Sequence, residues 1–303
     1  MNWMPLVSLA LVLLLAPLLP GVATRTRALL TGRRGAPVQQ LYSDLAKLWR
    51  KGVVYSTTTT WIFRLAPVAA TVTAILAACL LPLDGREAVV SFSGDLIAFA
   101  SLLALARFTL VLAGLDTGSS FEGMGASREV TFASFAEPAL FLCFIALVRA
   151  TGSLSLTGML GGPLSDAWPA AAPSLLMVAA ALFAVLLAEN SRVPVDDPAT
   201  HLELTMVHEV IVLDHSGPDL ALILYGSAVK LALFGALVVG VLLPRAHLPA
   251  AASLAVLAAG LLAVAALVGV VESVMARLRL DRVPQFLVAA SALAFFAVVL
   301  LLW

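Results

Sequence analysis

Eight apolar stretches, each of roughly twenty residues, leave this chain few ways to fold. They fall at 3–23, 65–82, 96–113, 132–148, 170–188, 220–243, 250–271 and 284–302. As α-helices such runs reach ~30 Å, the thickness of a bilayer's hydrocarbon core. A lipid-facing helix also satisfies all its backbone donors and acceptors internally. Charged residues make up 12% of the 303, about half the ~25% usual for soluble domains. The sequence therefore predicts an all-α, polytopic membrane protein of about eight transmembrane helices, forming one membrane domain over 1–303. A net charge of zero argues against nucleic acid as a partner; the first partner is the lipid bilayer.

Orientation follows from the basic residues of the connections. If the first span starts outside, the inner loops 24–58, 114–129, 189–218 and 273–283 carry twelve Lys and Arg. The outer connections carry only Arg86, Arg149 and Arg245, so the positive-inside rule places both termini outside. No cation precedes the first apolar run, which reads as a retained helix rather than a cleaved signal peptide.

Two inner loops carry further expectations. Residues 38–51 place Leu41, Leu45 and Leu48 at helical spacing beside Lys47, Arg50 and Lys51. That pattern suits either a helix lying in the interface or an ordinary basic loop. The Gly- and Ser-rich link 114–129 matches no nucleotide-binding fingerprint and reads as a tight loop. The outer link 154–169 shows no chemistry. Cys79 and Cys143 form no C-x-x-C pair, so this chain alone can build neither an iron–sulfur cluster nor a Cys-based zinc site.

Several ionisable residues fall within the apolar runs, where each costs ~2.5–3.5 kcal/mol on insertion scales. Arg107, Glu137 and Lys230 are the deepest, with Lys230 expected near the midplane. They are read either as structural ion pairs or as parts of a proton or ion route. Arg64 and Glu272, at span ends, can reach the interface by snorkelling.

The segment 188–217 stands apart. It concentrates acids and histidines: Glu189, Asp196, Asp197, His201, Glu203, His208, Glu209, Asp214 and His215. Arg192 is placed to pair with Glu189 three residues before it. Asp197-Pro198 reads as a helix start. From there His201, Thr205, His208, Val212 and His215 fall on one stripe, and Gly217-Pro218 reads as the stop. His208-Glu209 does not complete a zinc motif, because residue 212 is Val. Two readings remain: an amphipathic loop helix, or an acidic funnel in which histidines and crowded carboxylates respond to protons.

AENSRVPVDDPATHLELTMVHEVIVLDHSG at 188–217 resembles the signature loop of the membrane subunit of group 4 [NiFe] hydrogenases. These are the formate hydrogenlyase and hydrogenase-4 type, whose membrane subunit is similar to NADH dehydrogenase subunit 1 of respiratory complex I. GRRGAPVQQLYSDLAKL at 32–48, FRLAP at 63–67, LALARFTLVLAGLDTGSSFEGMGASRE at 103–129 and VVESVMARLRLDRVPQFL at 270–287 extend the match over nearly the whole chain. The resemblance implies a cofactor-free subunit of an inner-membrane oxidoreductase complex. It would join peripheral large and small subunits, carrying iron–sulfur clusters and [NiFe], to antiporter-like membrane subunits. Carried over by position, Glu189, Glu203 and Glu209 are loop acids of a coupling route and Glu137 is its acid in the membrane. Asp196, Asp197, His201, His208, Arg107 and Lys230 complete the set of candidate proton- or ion-coupling residues. VPVDDPATHLEL replaces the Pro-Phe-Asp-Leu-Pro-Glu-type run of the quinone-reducing enzymes, which favours the hydrogenase branch. The alternatives are the quinone-site membrane subunit of a respiratory NADH dehydrogenase and a stand-alone ion transporter, although the sequence shows no inverted repeat.

Overall fold

A computed structural model of the chain describes residues 3–196 and 206–302. Among the described residues all regular structure is helical. In chain order the helices are α1 Met4–Leu15, α2 Leu18–Leu30, α3 Gln40–Leu48, α4 Trp61–Leu80, α5 Asp95–Asp116, α6 Ser120–Thr151, α7 Leu156–Leu160, α8 Gly162–Glu189, α9 His208–Ile211, α10 Gly217–Leu242, α11 Ala250–Val274 and α12 Val283–Leu300. α4, α5, α6, α8, α10, α11 and α12 with the turn before it are long and apolar enough to cross a bilayer. α1 and α2 together make an eighth span, bent by 44°. The expected all-α polytopic architecture is what the chain forms.

The bend has a covalent cause. Pro17 offers no N–H to the carbonyl of Leu13, so the i to i−4 ladder is interrupted there. Two tyrosines supply the missing donors: Tyr225 Oη of α10 to Leu13 O at 3.2 Å, and Tyr42 Oη of α3 to Leu14 O. The first span is therefore kinked rather than continuous. Residues 40–48, one of the two readings of the basic 24–58 segment, are a helix lying against that kink.

α10 is the hub. Nearly every face of it is buried, and it packs against α4, α8 and α11. Small residues let the backbones approach, as expected where lipid offers no hydrophobic drive for association. Gly226 packs on Thr71, whose hydroxyl also donates to Leu222 O at 2.8 Å, and Gly235 packs on Leu261. Phe99, Phe144 and Phe234 fill the space between helices.

Several local expectations are overturned. The link 114–129 is mostly helix: α5 runs to Asp116 and α6 starts at Ser120, leaving a turn of three residues. The link 154–169 is likewise α7 and the start of α8. Gly217-Pro218 begins α10 instead of closing a helix. Gly217 has φ +55°, and a Cβ there would lie 2.7 Å from Gly52 O, so both conformation and space require glycine. Pro218 then fits the first turn. The single helical stripe from His201 to His215 does not form, because α9 spans only His208–Ile211 and gives way to a turn. Asp197, His201 and Glu203 lie outside the described residues.

Candidate functional site

The ionisable residues of the spans meet. Glu189, the last residue of α8, takes Lys230 Nζ at 2.7 Å and Arg107 Nη2 at 3.1 Å. The other arm of Arg107 reaches Glu137 Oε1 at 3.1 Å. Glu137, Arg107, Glu189 and Lys230 thus form a chain of alternating charge across α6, α5, α8 and α10. Glu189 and Arg107 are buried, as low-dielectric pairing requires. Glu137 is the exception. Its side chain is 43% exposed, in a groove of about 570 Å³ between α5 and α6 lined by Ser101, Ala104, Ala133 and Ser134.

The level of this cluster corrects one expectation, that α8 ends at the inner face. Arg107 lies nine residues before the end of α5, and Lys230 thirteen after the start of α10. By helical rise these are ~14 and ~20 Å from the helix ends that carry the polar segment. Glu189 touches both, so α8 stops well inside the bundle rather than at its face. The chain after it fills the recess: Val193, Val195 and Asp196 are buried, as are Met206, Val207, Val210 and Ile211. Irregular backbone at such depth is tolerated only where protein surrounds it. α9 seats against two glycines, since a Cβ at Gly114 or Gly125 would stand 3.0 Å from Ile211.

Arg192 does not pair with Glu189. It reaches Glu272 Oε1 at 3.3 Å, and Glu272 is buried rather than snorkelling. Arg64 stacks over the Tyr55 ring at 4.6 Å. Asp196 belongs to the same second network: it pairs with Arg277 Nη2 at 2.9 Å and accepts from Val207 N at 2.9 Å. Arg128 Nη1 donates to Met206 O at 2.9 Å. These contacts pin both ends of the stretch that bears Asp197, His201 and Glu203.

Between the two networks a cavity of about 40 Å³ is lined by Arg107, Glu129, Glu189, Asn190, His208 and Lys230. That is room for about three waters, which need polar partners of the kind present. His208 is held below the ordinary imidazole range, chiefly by lost hydration, with Lys230 acting in the same sense and Glu129 and Asp196 against it. It is thus a neutral acceptor or donor facing the Glu189 cluster. Glu209, next to it on α9, does not line the cavity. His215 is buried with its ring stacked at 3.9 Å on Phe63, and burial pushes it down to about 4.

Glu129 escaped the sequence reading, as did Glu122, which accepts from Asp214 N at 3.1 Å. The two are seven residues apart, on one stripe of α6. Reading 114–129 as loop concealed that spacing.

Comparison with known proteins adds three findings. Residues 4–303 match the family described as NADH dehydrogenase. The chain is similar to formate hydrogenlyase subunit 4 of Escherichia coli, 32% identical with 98% of each chain covered. It is also similar to hydrogenase-4 component C of the same organism, 35% identical over 77% of this chain and 73% of that one. Its fold superposes with a TM-score of 0.83 on a chain of the membrane-bound sulfane sulfur reductase, an archaeal respiratory membrane complex, at 22% identity and 98% coverage of both.

Proposed function

The chain belongs to the NADH dehydrogenase family, with the hydrogenase-type membrane subunits and subunit 1 of respiratory complex I, and from that membership we propose that it couples redox chemistry in a membrane-bound complex to ion movement. In this reading it is a multi-pass subunit of the inner membrane that performs no electron transfer itself. Peripheral large and small subunits hold the iron–sulfur clusters and, in the hydrogenase branch, the [NiFe] centre. They dock on the face that carries 190–216.

One observation supports the reading above others: the unbroken run of ion pairs from Lys230 through Glu189 and Arg107 to Glu137. Charges so arranged are interdependent, because neutralising one leaves its neighbours buried without a partner. A proton delivered from the docked arm, by way of His208 and the water-sized cavity, shifts the balance at Glu189. Arg107 then passes that change to Glu137, which lines a common cavity with Glu189 and Arg107. Glu209, Glu203, Asp196, Asp197 and His201 supply the charged surround on the arm side.

Glu137 opens on a lipid-level groove, where a carboxylate facing acyl chains is costly. Its floor mixes small Ser101, Ala104, Ala133 and Ser134 with apolar Leu105, Phe108 and Val130, and small residues are what helix–helix contacts in membranes favour. We place an antiporter-like membrane subunit there, receiving the charge change. The test is Glu137→Gln and Glu189→Gln in the intact complex, reconstituted in liposomes. In the fraction of complex that assembles, each should lower coupled ion movement at least tenfold relative to redox turnover. Wild-type coupling in both variants would refute the relay.

A further inference from the structure

The basic segment after α2 is not used by the relay, and its placement gives it a partner of its own. Between residues 24 and 58 the chain carries Arg25, Arg27, Arg33, Arg34, Lys47, Arg50 and Lys51 against a single acid, Asp44. Asp44 is occupied by Gln40 Nε2 at 2.9 Å and by Lys47 at 3.7 Å. Arg33, Arg34, Arg50 and Lys51 are exposed.

The element bearing these cations lies at the membrane boundary. Tyr42 of α3 donates to Leu14 O, and the adjacent carbonyl of Leu13 takes Tyr225, eight residues into α10. By helical rise that contact is ~12 Å below the start of α10. The edge made by α3 and the residues after it therefore runs from Gly52, which lies against Gly217 at the start of α10, to Tyr42, at a level ~12 Å further along α10. Along this edge the large apolar side chains are open rather than packed: Leu29 and Leu30 at the end of α2, and Trp49 just past α3, are all more than half exposed. Exposed Leu29, Leu30 and Trp49 beside exposed Arg33, Arg34, Arg50 and Lys51 make the joint apolar and basic surface that an anionic bilayer interface takes.

We infer that the edge formed by the end of α2, the 31–39 return and α3 binds the headgroups of anionic phospholipids. Its cations hold the phosphates, and Trp49, Leu29 and Leu30 lie along the acyl chains.

The intact complex in nanodiscs of equal phosphatidylglycerol and phosphatidylcholine supplies the test, the lipids retained per complex being counted after exchange against phosphatidylcholine alone. Wild type should retain phosphatidylglycerol several-fold over phosphatidylcholine. R33Q/R34Q/R50Q/K51Q should bring that ratio near the bulk value while every subunit still co-purifies. R33Q/R34Q and R50Q/K51Q, each milder, should each remove part of the preference. R86Q/R149Q, in other connections, should leave it intact. An unchanged ratio in all three basic-edge variants, or no preference in wild type, overturns the inference. Loss of the peripheral subunits at an unchanged lipid ratio also overturns it, and shows instead a protein-docking surface.

Discussion

At the scale of single residues, Glu189 carries two cations and Lys230 and Arg107 one shared anion, so single and paired substitutions should differ sharply. Glu189→Gln leaves two buried cations short of a partner and is expected to destabilise the chain by about 3–5 kcal/mol. The doublet Glu189→Gln with Lys230→Met should recover a good part of that loss, giving a coupling energy of at least ~1 kcal/mol in a thermal-unfolding cycle on the complex. His215 makes a second, pH-dependent case. Its folded imidazole titrates at about 4, whereas a released one titrates near ~6.5. Above pH ~6.5 both forms are neutral and the seated ring keeps its stacking on Phe63 in full. From there down to about 4 only the released form takes up the proton, so the seat weakens as pH falls, by at most ~3 kcal/mol. Protection factors at 212–217, with the intrinsic pH dependence of exchange divided out, should therefore fall between pH 6.5 and 4 in wild type and stay flat in His215→Phe.

Among the elements, the spans were legible because twenty apolar residues admit little else in lipid, and the predicted runs overlap all the long helices. Where α8 stops relative to its neighbours was not legible. A run such as Leu182–Ala188 reads the same whether it reaches the membrane surface or ends inside the bundle; only the pairing of Glu189 with residues on two other helices reveals its level. Pairing partners were equally hidden. Local spacing assigned Arg192 to Glu189, but the turn after α8 turns Arg192 toward α11 and Glu272 instead. Gly- and Ser-rich composition made 114–129 look like loop, yet Gly114 and Gly125 are small to admit Ile211 rather than to break a helix. That distinction is testable. Gly125→Val should unseat α9 at a cost of about 1–3 kcal/mol, seen as faster exchange of the 206–211 amides, with α6 itself unchanged.

For the molecule as a whole, two polar networks meet at the recess under α8: the ion-pair run toward Glu137, and the set that ties 190–196 to the α11–α12 connection. The second set includes Leu278 N to Pro194 O at 2.9 Å, besides Asp196–Arg277 and Arg192–Glu272. It joins elements far apart in sequence, so the turn cannot shift without moving the end of α11. In the proposed relay the groove at Glu137 is the outlet of the first network. A cysteine at Ala104 should crosslink to a neighbouring membrane subunit in the native complex, whereas one at Phe296, on the exposed face of α12, should not. The early end of α8 also sets how the chain meets a transmembrane voltage. The recess is filled by packed side chains, Val193, Val195, Met206, Val207, Val210 and Ile211 among them, so a charge that reaches Glu189 crosses low-dielectric protein. The ~2.3 kcal/mol per 100 mV for one elementary charge is divided between the step to Glu189 and the step beyond it.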